Sequence, residues 1–369
     1  MKFKHVSFLL FIIIAVEIIF LVFTYYLNQK TEPQSNLTSS PPEIQTPINK
    51  SMVVRAAIPY WDQENAIRSF KENTDLIDIV SVFWYYIDEN GKINKYEYAN
   101  EDESLIEFAH QNDIKVSAVL TNLGEFGDFD STRVENVIKD EESISNHIND
   151  IKKLLEDKSF DGITIDYESV DSSQEQKFSD FIKKLSEELG EDGKYVEVAL
   201  HPKENFSAQR KYAYQDWEEI AKYADRIYIM AYGQYTDEED SGPIASIDWV
   251  SQILSYAKNQ DIPNSKLYLG IPLYGYDWDK NSEEDAEGLT FQDISNLLLK
   301  EGVIAEWDEN AKSPHFSYGG DHEVWFEDGR SVEEKIKLAK KFNLAGITFW
   351  RLGGEDPKVW DVIKKYRKN

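Results

Sequence analysis

The segment Phe160-Asp161-Gly162-Ile163-Thr164-Ile165-Asp166-Tyr167-Glu168 has the residue types and the spacing of a proton-transfer site. Successive side chains of a β-strand point to opposite faces. Read as a strand, this run turns Ile163 and Ile165 to one face and Thr164, Asp166 and Glu168 to the other. Polar groups aimed into an interior are costly unless they are paired or used. Two acids on one strand face lie about 6.5–7 Å apart, so they repel and one pKa should rise. A carboxylic acid still protonated near neutral pH is what proton transfer to a glycosidic oxygen requires. Ordinary retaining enzymes set two carboxylates on opposite sides of the scissile bond. Neighbours on one strand do not reach both sides. The nucleophile must then come from elsewhere, and an acetamido oxygen of the substrate is one candidate.

The elements that would carry this strand are legible in the alternation of short apolar runs with helical periods. Eight strands are expected, at Val53–Pro59, Ile77–Trp84, Lys115–Leu120, Gly162–Asp166, Tyr195–Leu200, Arg226–Ala231, Leu267–Pro272 and Gly346–Trp350. Ile144, Ile148, Ile151 and Leu155 repeat at helical spacing between them. Phe178, Phe181, Ile182, Leu185 and Leu189 do the same, with Gly190 as the expected stop. Ser331 and Glu334 read as a capping box that opens a further helix. Eight strand–helix units predict an α/β fold, a (β/α)8 TIM barrel, with polar groups at the C-terminal ends of the strands forming the site. An open doubly wound sheet is the alternative, and no phosphate-binding glycine motif supports it. Residues 52–369 are assigned to the barrel. The long stretch between the seventh and eighth strands, about 279–328, contains Trp307, Phe316, Tyr318 and Trp325. It is expected to form a small α+β insertion.

Composition narrows the function. The chain has 369 residues with 41% apolar content, enough for one large core. A formal net charge of −28 repels phosphate backbones, so nucleic acid is excluded as a partner. There are no cysteines, which removes disulfides, cysteine nucleophiles and thiolate zinc sites. Histidines lack metal-ligand spacing, and the chemistry above needs no metal or cofactor. His201, before Pro202, reads as a structural residue. Aromatic residues reach 13%, with faces that suit either core packing or sugar rings.

Residues 1–27 read as an N-terminal membrane anchor. The apolar run Val6–Leu27 would extend roughly 33 Å as a helix, enough to cross a bilayer. Tyr25 and Tyr26 near its end mark an interface belt, and Lys2 and Lys4 before it would stay inside, which places the remainder outside the membrane. Glu17 within it costs about 2.5–3.5 kcal/mol of insertion free energy. A cleaved signal peptide is the alternative. Residues 28–51 carry Pro33, Pro41, Pro42 and Pro47 and read as an extended linker.

The run DGITIDYE resembles the DGxDxDxE signature of glycoside hydrolase family 18, the chitinase-like barrels. Asp161, Gly162, Asp166 and Glu168 match it. The likeness continues through IYIMAYGQY, LYLGIPLYGYDW and GITFWRLGGEDP. FWYYIDENGKI and VWFEDGRSVEEK are similar to the bacterial spore and cell-wall N-acetylglucosaminidases of that family. The resemblance implies substrate-assisted, retaining cleavage of a polysaccharide containing β-1,4-linked N-acetylglucosamine, of peptidoglycan or chitin type. It implies that Glu168 protonates the leaving oxygen and later activates water. It further implies that Asp166 orients the N-acetyl group, that Tyr232 hydrogen-bonds its oxygen, and that Trp350 forms the floor beneath the sugar. Asp161 and Thr164 are supporting positions, and Trp84 and Asn122, at the ends of the second and third strands, are candidate sugar contacts. Two positions depart from the pattern: Thr164 replaces the middle Asp, and Gly233 stands where an Asp often follows the tyrosine. Two rival readings are a carbohydrate-binding, lectin-like envelope protein without turnover and an envelope scaffold.

Overall fold

Runs of apolar residues too short for helices and flanked by polar turns give the barrel its strands. The computed structural model describes residues 52–367 apart from 126 and 283. Eight strands are parallel: β1 (Val53–Pro59), β2 (Ile79–Ile87), β3 (Lys115–Thr121), β4 (Gly162–Asp166), β5 (Tyr195–Leu200), β6 (Arg226–Ile229), β7 (Leu267–Pro272) and β8 (Gly346–Trp350). Each pairs with its neighbours in sequence, and β8 pairs with β1, so the sheet closes on itself. This is the expected eight-stranded barrel. Five of the strand boundaries agree with the sequence reading. The sixth strand ends earlier because Ala231 and Tyr232 donate to the carbonyls of Ile229 and Met230, two residues back. Such tight turns take the chain out of the ladder before Tyr232.

Helices wrap the sheet because each carries one apolar stripe. In Glu175–Glu191 the stripe is Phe178, Phe181, Ile182, Leu185 and Leu189, all buried. This helix runs past Gly190, and Gly193, in the left-handed region, lies just beyond its end. The start of Gly329–Lys341 also differs from expectation. Asp328 is the N-cap and Ser331 is the third residue of the box, so Ser331 answers the cap and does not form it. Aspartate accepts from free N–H groups at several other helix starts, including Asp102, Asp130, Asp140 and Asp216.

At the N-terminal end of the barrel one device recurs. Asp78, Asp161 and Asp225 each accept the backbone N–H of a valine on the preceding strand, at 2.7–2.9 Å, while donating their own N–H to the same valine's carbonyl. The valines are Val54, Val116 and Val196. These clamps stiffen the end opposite to Asp166.

The insertion is real and starts earlier than expected. It is a five-stranded antiparallel sheet formed by Tyr274–Asp279, Glu287–Thr290, Glu306–Asp308, Ser313–Tyr318 and His322–Phe326, with the helix Phe291–Glu301 packed on it. Gly275 permits its central pairing, because a Cβ there would lie 2.5 Å from Phe326 Cβ. The insertion is tied to the barrel's helical layer by a buried ion pair between Glu327 and Lys335, at 2.7 Å. The anchor expected at Val6–Leu27 and the linker at 28–51 lie outside the described residues. Among those described, no helix is long and apolar enough to cross a membrane.

Replacing Lys335 by Met leaves Glu327 charged and unpaired in the interior. The expected cost is about 3–5 kcal/mol of folding stability, read as a lower denaturant midpoint. An unchanged midpoint would show that the pair is not what fixes this corner.

Candidate active site

The barrel interior is filled in layers by side chains from alternate strand positions. In the middle layer lies a closed polar network. Arg55 on β1 donates to Glu197 on β5 at 3.2 Å, to Thr348 on β8 at 2.7 Å and to Thr164 on β4 at 3.2 Å. Thr164 also bonds Glu197 at 2.9 Å and Ser117 at 2.7 Å. The guanidinium stacks over the Tyr228 ring at 4.6 Å. All of these polar residues are buried, and each is satisfied by the others. The Thr164 hydroxyl thus closes this network.

Above this layer, toward the C-terminal ends of the strands, stands Asp166. It is buried, and its Oδ1 has no hydrogen-bond partner among the described residues. Burial pushes its carboxyl up to about 7, while the Arg55 charge below pulls in the opposite direction. Glu168 follows one strand step further and is partly open, with its side chain 19% exposed. Burial, and secondarily the neighbouring Asp166, hold the Glu168 carboxyl well above the usual range. Mutual repulsion is therefore real, but loss of water is the larger cause.

Tyr232 reaches the same space from the chain after β6. Burial keeps its phenol protonated, with Tyr228, Asp166 and Glu168 within electrostatic reach. Gly270 on β7 makes room for it: a Cβ at that position would lie 2.9 Å from the Tyr232 ring. Trp350, at the end of β8, is half-buried and packs edge-on to Phe83 and to Trp61, with centroids 5.4 and 6.0 Å away. Trp61 is 49% exposed and extends this aromatic wall outward.

Three candidate positions have other tasks. Trp84 is fully buried against Tyr85 and Phe160 in the main core, so no surface is left for a sugar. It has the same parity on β2 as Val80 and Val82, whereas Phe83 is the residue of this strand packed against Trp350. Asn122 is also buried, and its amide is consumed by backbone. Its Oδ1 accepts the Glu168 N–H at 2.7 Å, and its Nδ2 donates to the Glu168 carbonyl at 2.8 Å and to that of Asp130 at 3.1 Å. It holds the peptide that presents Glu168 and has no group free for a substrate. Asp161 belongs to the clamps at the far end of the barrel.

Residues not singled out as contributors complete the site. Arg55 and Glu197 set the field beneath Asp166, and His201, read as structural, brings its Nε2 to 3.2 Å from Glu168 Oε2. A separate hollow of about 860 Å³ opens beside Trp61, edged by Arg351, Glu355 and Thr290; Asp166, Glu168, Tyr232 and Trp350 do not line it. Asp279, Asp321 and His322 on the insertion bring ligand-type atoms within 4.8 Å of one another, but the His322 Nδ1 is engaged by Asp277.

The raised Asp166 has a consequence for folding. In the unfolded chain this carboxyl ionises near 3.8, and in the fold only near 7. The folded state holds the extra proton between these values, so this group's contribution is intact below the lower one and lost as pH rises through the higher. The D166N variant should therefore gain thermal stability over the parent as pH rises from about 4 to about 7, with no gain below. Parallel melting curves that keep a constant separation over this range would contradict the assignment.

Comparison with known proteins agrees with this geometry. The model for glycosyl hydrolases family 18 matches residues 56–355. The cortical fragment-lytic enzyme of Bacillus anthracis is 26% identical over 309 residues, covering 82% of this chain and 70% of its own. The crystal structure of a chitinase from Chromobacterium violaceum superposes with a TM-score of 0.79 at 26% identity, covering 86% of this chain and 100% of that one. That of the spore cortex-lytic enzyme SleL of Bacillus cereus gives 0.78 at 24% identity, with 86% and 74% covered. With the family model spanning the barrel from β1 to the loop after β8, the chain belongs to glycosyl hydrolases family 18 and is a glycosidase.

Proposed function

We propose that the chain cleaves polysaccharides containing β-1,4-linked N-acetylglucosamine, of peptidoglycan or chitin type, by substrate-assisted retaining catalysis. The observation that carries this reading is the pair of buried carboxyls in succession at one strand end, Asp166 and Glu168, with Tyr232 beside them. No second carboxyl among the residues placed at this site stands across from Glu168 as a nucleophile. The acetamido group of the sugar supplies one.

In the first step Glu168 gives its proton to the glycosidic oxygen as the bond to the anomeric carbon breaks. The acetamido oxygen forms a bond to that carbon from the other face, giving a cyclic oxazolinium cation. Asp166, ionised at this stage, accepts the acetamido N–H through its unpartnered Oδ1 and offsets the positive charge. The Tyr232 hydroxyl orients the acetamido oxygen for attack. In the second step Glu168, now a carboxylate, takes a proton from water as the water attacks the anomeric carbon and the acetamido oxygen leaves. Two inversions leave the β configuration. Trp350 offers its face beneath the reacting ring, an apolar surface suited to the C–H face of a sugar.

The names of the relatives support both polymer types, since one is called cortical fragment-lytic and others are called chitinases. The Thr164 network favours this mechanism as well. Without an acid at position 164, Asp166 has no partner below it with which to share a proton. Its negative charge is balanced only by Arg55 at a distance, and this leaves it available to the cation.

The E168Q variant should lose about 10²–10⁴-fold in kcat on N-acetylglucosamine oligomers while remaining folded. The anomer first released by the parent, followed by proton NMR, should be β. An E168Q enzyme as fast as the parent, or release of the α-anomer, would overturn the mechanism.

A further inference from the structure

The residue after β5 is His201, and several contacts hold it in one place. Its backbone N–H donates to Gln215 Oε1 at 2.8 Å, and Gln215 Nε2 in turn donates to the Ala199 carbonyl at 3.0 Å. Its ring lies flat on that of Tyr212, with centroids 4.0 Å apart and planes 11° apart, and edge-on to Tyr214. The side chain is 12% exposed, and Nε2 lies 3.2 Å from Glu168 Oε2. Among the described residues Nε2 makes no hydrogen bond: its approach to Glu168 is close but not aligned as one.

We propose that His201 is a positioning residue for this reaction: a neutral imidazole, 3.2 Å from Glu168, whose Nε2–H aligns on one oxygen of Glu168 as substrate binds and leaves the other to face the leaving group. The proposal rests on Glu168 being the acid. Its logic is that of proton economy at a group which must act twice. A carboxyl that swings freely loses alignment in both steps. A carboxylate left behind in a buried place after proton transfer is costly, and one fixed N–H lowers that cost without bringing in a charge. An imidazolium here would pull the Glu168 proton off too early.

The surroundings favour the neutral form. Burial, and then the charges of Lys211 and Lys203, hold the His201 imidazole down to about 3, well below neutral pH. Lys203 is itself buried, bonded to the Gln215 carbonyl and placed over the Trp217 ring. Lys211 lies over the Tyr212 ring. From β4, Glu168 and Asp166 face this corner, and from the loop before the helix Trp217–Tyr223 come Tyr212 and Tyr214, with the Tyr214 hydroxyl donating to the Tyr167 carbonyl. The two lysines thus act on His201, which passes on a hydrogen bond and no charge.

The test uses the parent chain and the variants H201F, H201Q and E168Q on N-acetylglucosamine tetramers. Phenylalanine keeps the stack on Tyr212 and removes the N–H; glutamine can return an N–H. For H201F, kcat should fall about ten-fold or more, with KM within about two-fold of the parent. The alkaline limb of the pH–rate profile should move to higher pH, since the Glu168 carboxylate has lost a donor. H201Q should recover part of both effects. A folded H201F with the parent's kcat and pH profile, in an enzyme that E168Q inactivates, would overturn the role of His201 alone. An active E168Q would overturn the underlying mechanism instead. Should H201F fail to fold, nitrogen-15 NMR of the parent's histidines decides. A neutral, Nε2-protonated His201 at pH 6 supports the proposal, and an imidazolium or an Nδ1–H tautomer overturns it.

Discussion

Two carboxyl groups are carried out of water at one end of β4, and the surrounding protein supplies only part of the compensation that two ionised groups would need. Asp166 has an orphaned buried oxygen, and the nearest fixed positive charge, Arg55, is already committed to Glu197, Thr348 and Thr164. A fully ionised pair in this place is unfavourable, so the pair retains a proton. Burial raises both groups, and Asp166 adds its repulsion to Glu168, the outer and more accessible of the two. The proton therefore resides on the group that faces the mouth of the barrel. The acid form needed for bond cleavage follows from this placement.

The remaining parts of the barrel serve to keep that pair in place. The layer beneath is polar yet satisfied, so it does not invite water from below. Asn122 fixes the peptide of Glu168 from β3 by two hydrogen bonds, and His201 approaches its carboxyl from β5. β3 thus leads into the residue that holds Glu168 by its backbone, and β5 into the imidazole that lies beside its side chain. At the opposite end of the barrel, the aspartate clamps of Asp78, Asp161 and Asp225 bind strand to strand without any part in the chemistry. One residue of the DGITIDYE run, Asp161, and two others, Asp166 and Glu168, therefore belong to different ends of the barrel and to different tasks.

Much of this was legible in the sequence because a strand's alternation is a strict rule. It placed Ile163 and Ile165 outward and Thr164, Asp166 and Glu168 inward, as the structure has them. The same rule, carried along VEVALH and VVRAAIP, sets Glu197, His201 and Arg55 inward. Trp84 lies near a strand end but shares the parity of the core residues Val80 and Val82, while Phe83, one residue earlier, is the aromatic beside Trp350. Asn122 was placed correctly at the mouth, but its duty depends on the carbonyl and N–H of a residue 46 positions away, a contact that no local pattern records. Ser331 and Asp328 both suit a helix cap, and only the chain's path after Phe326 decides between them. The insertion begins at Tyr274, directly after β7, where Gly275 permits close strand pairing.

The central claim concerns one proton, and it can be observed without turnover. Difference infrared spectroscopy of the parent against E168Q, or carbon-13 NMR with labelled glutamate, follows the Glu168 carboxyl as pH is changed. The expected result is a protonated Glu168 at pH 7, with its ionisation well above the ordinary glutamate value of 4.5 and moving downward when Asp166 is replaced by Asn. A Glu168 that is already a carboxylate at pH 5, or one whose titration ignores Asp166, would contradict it.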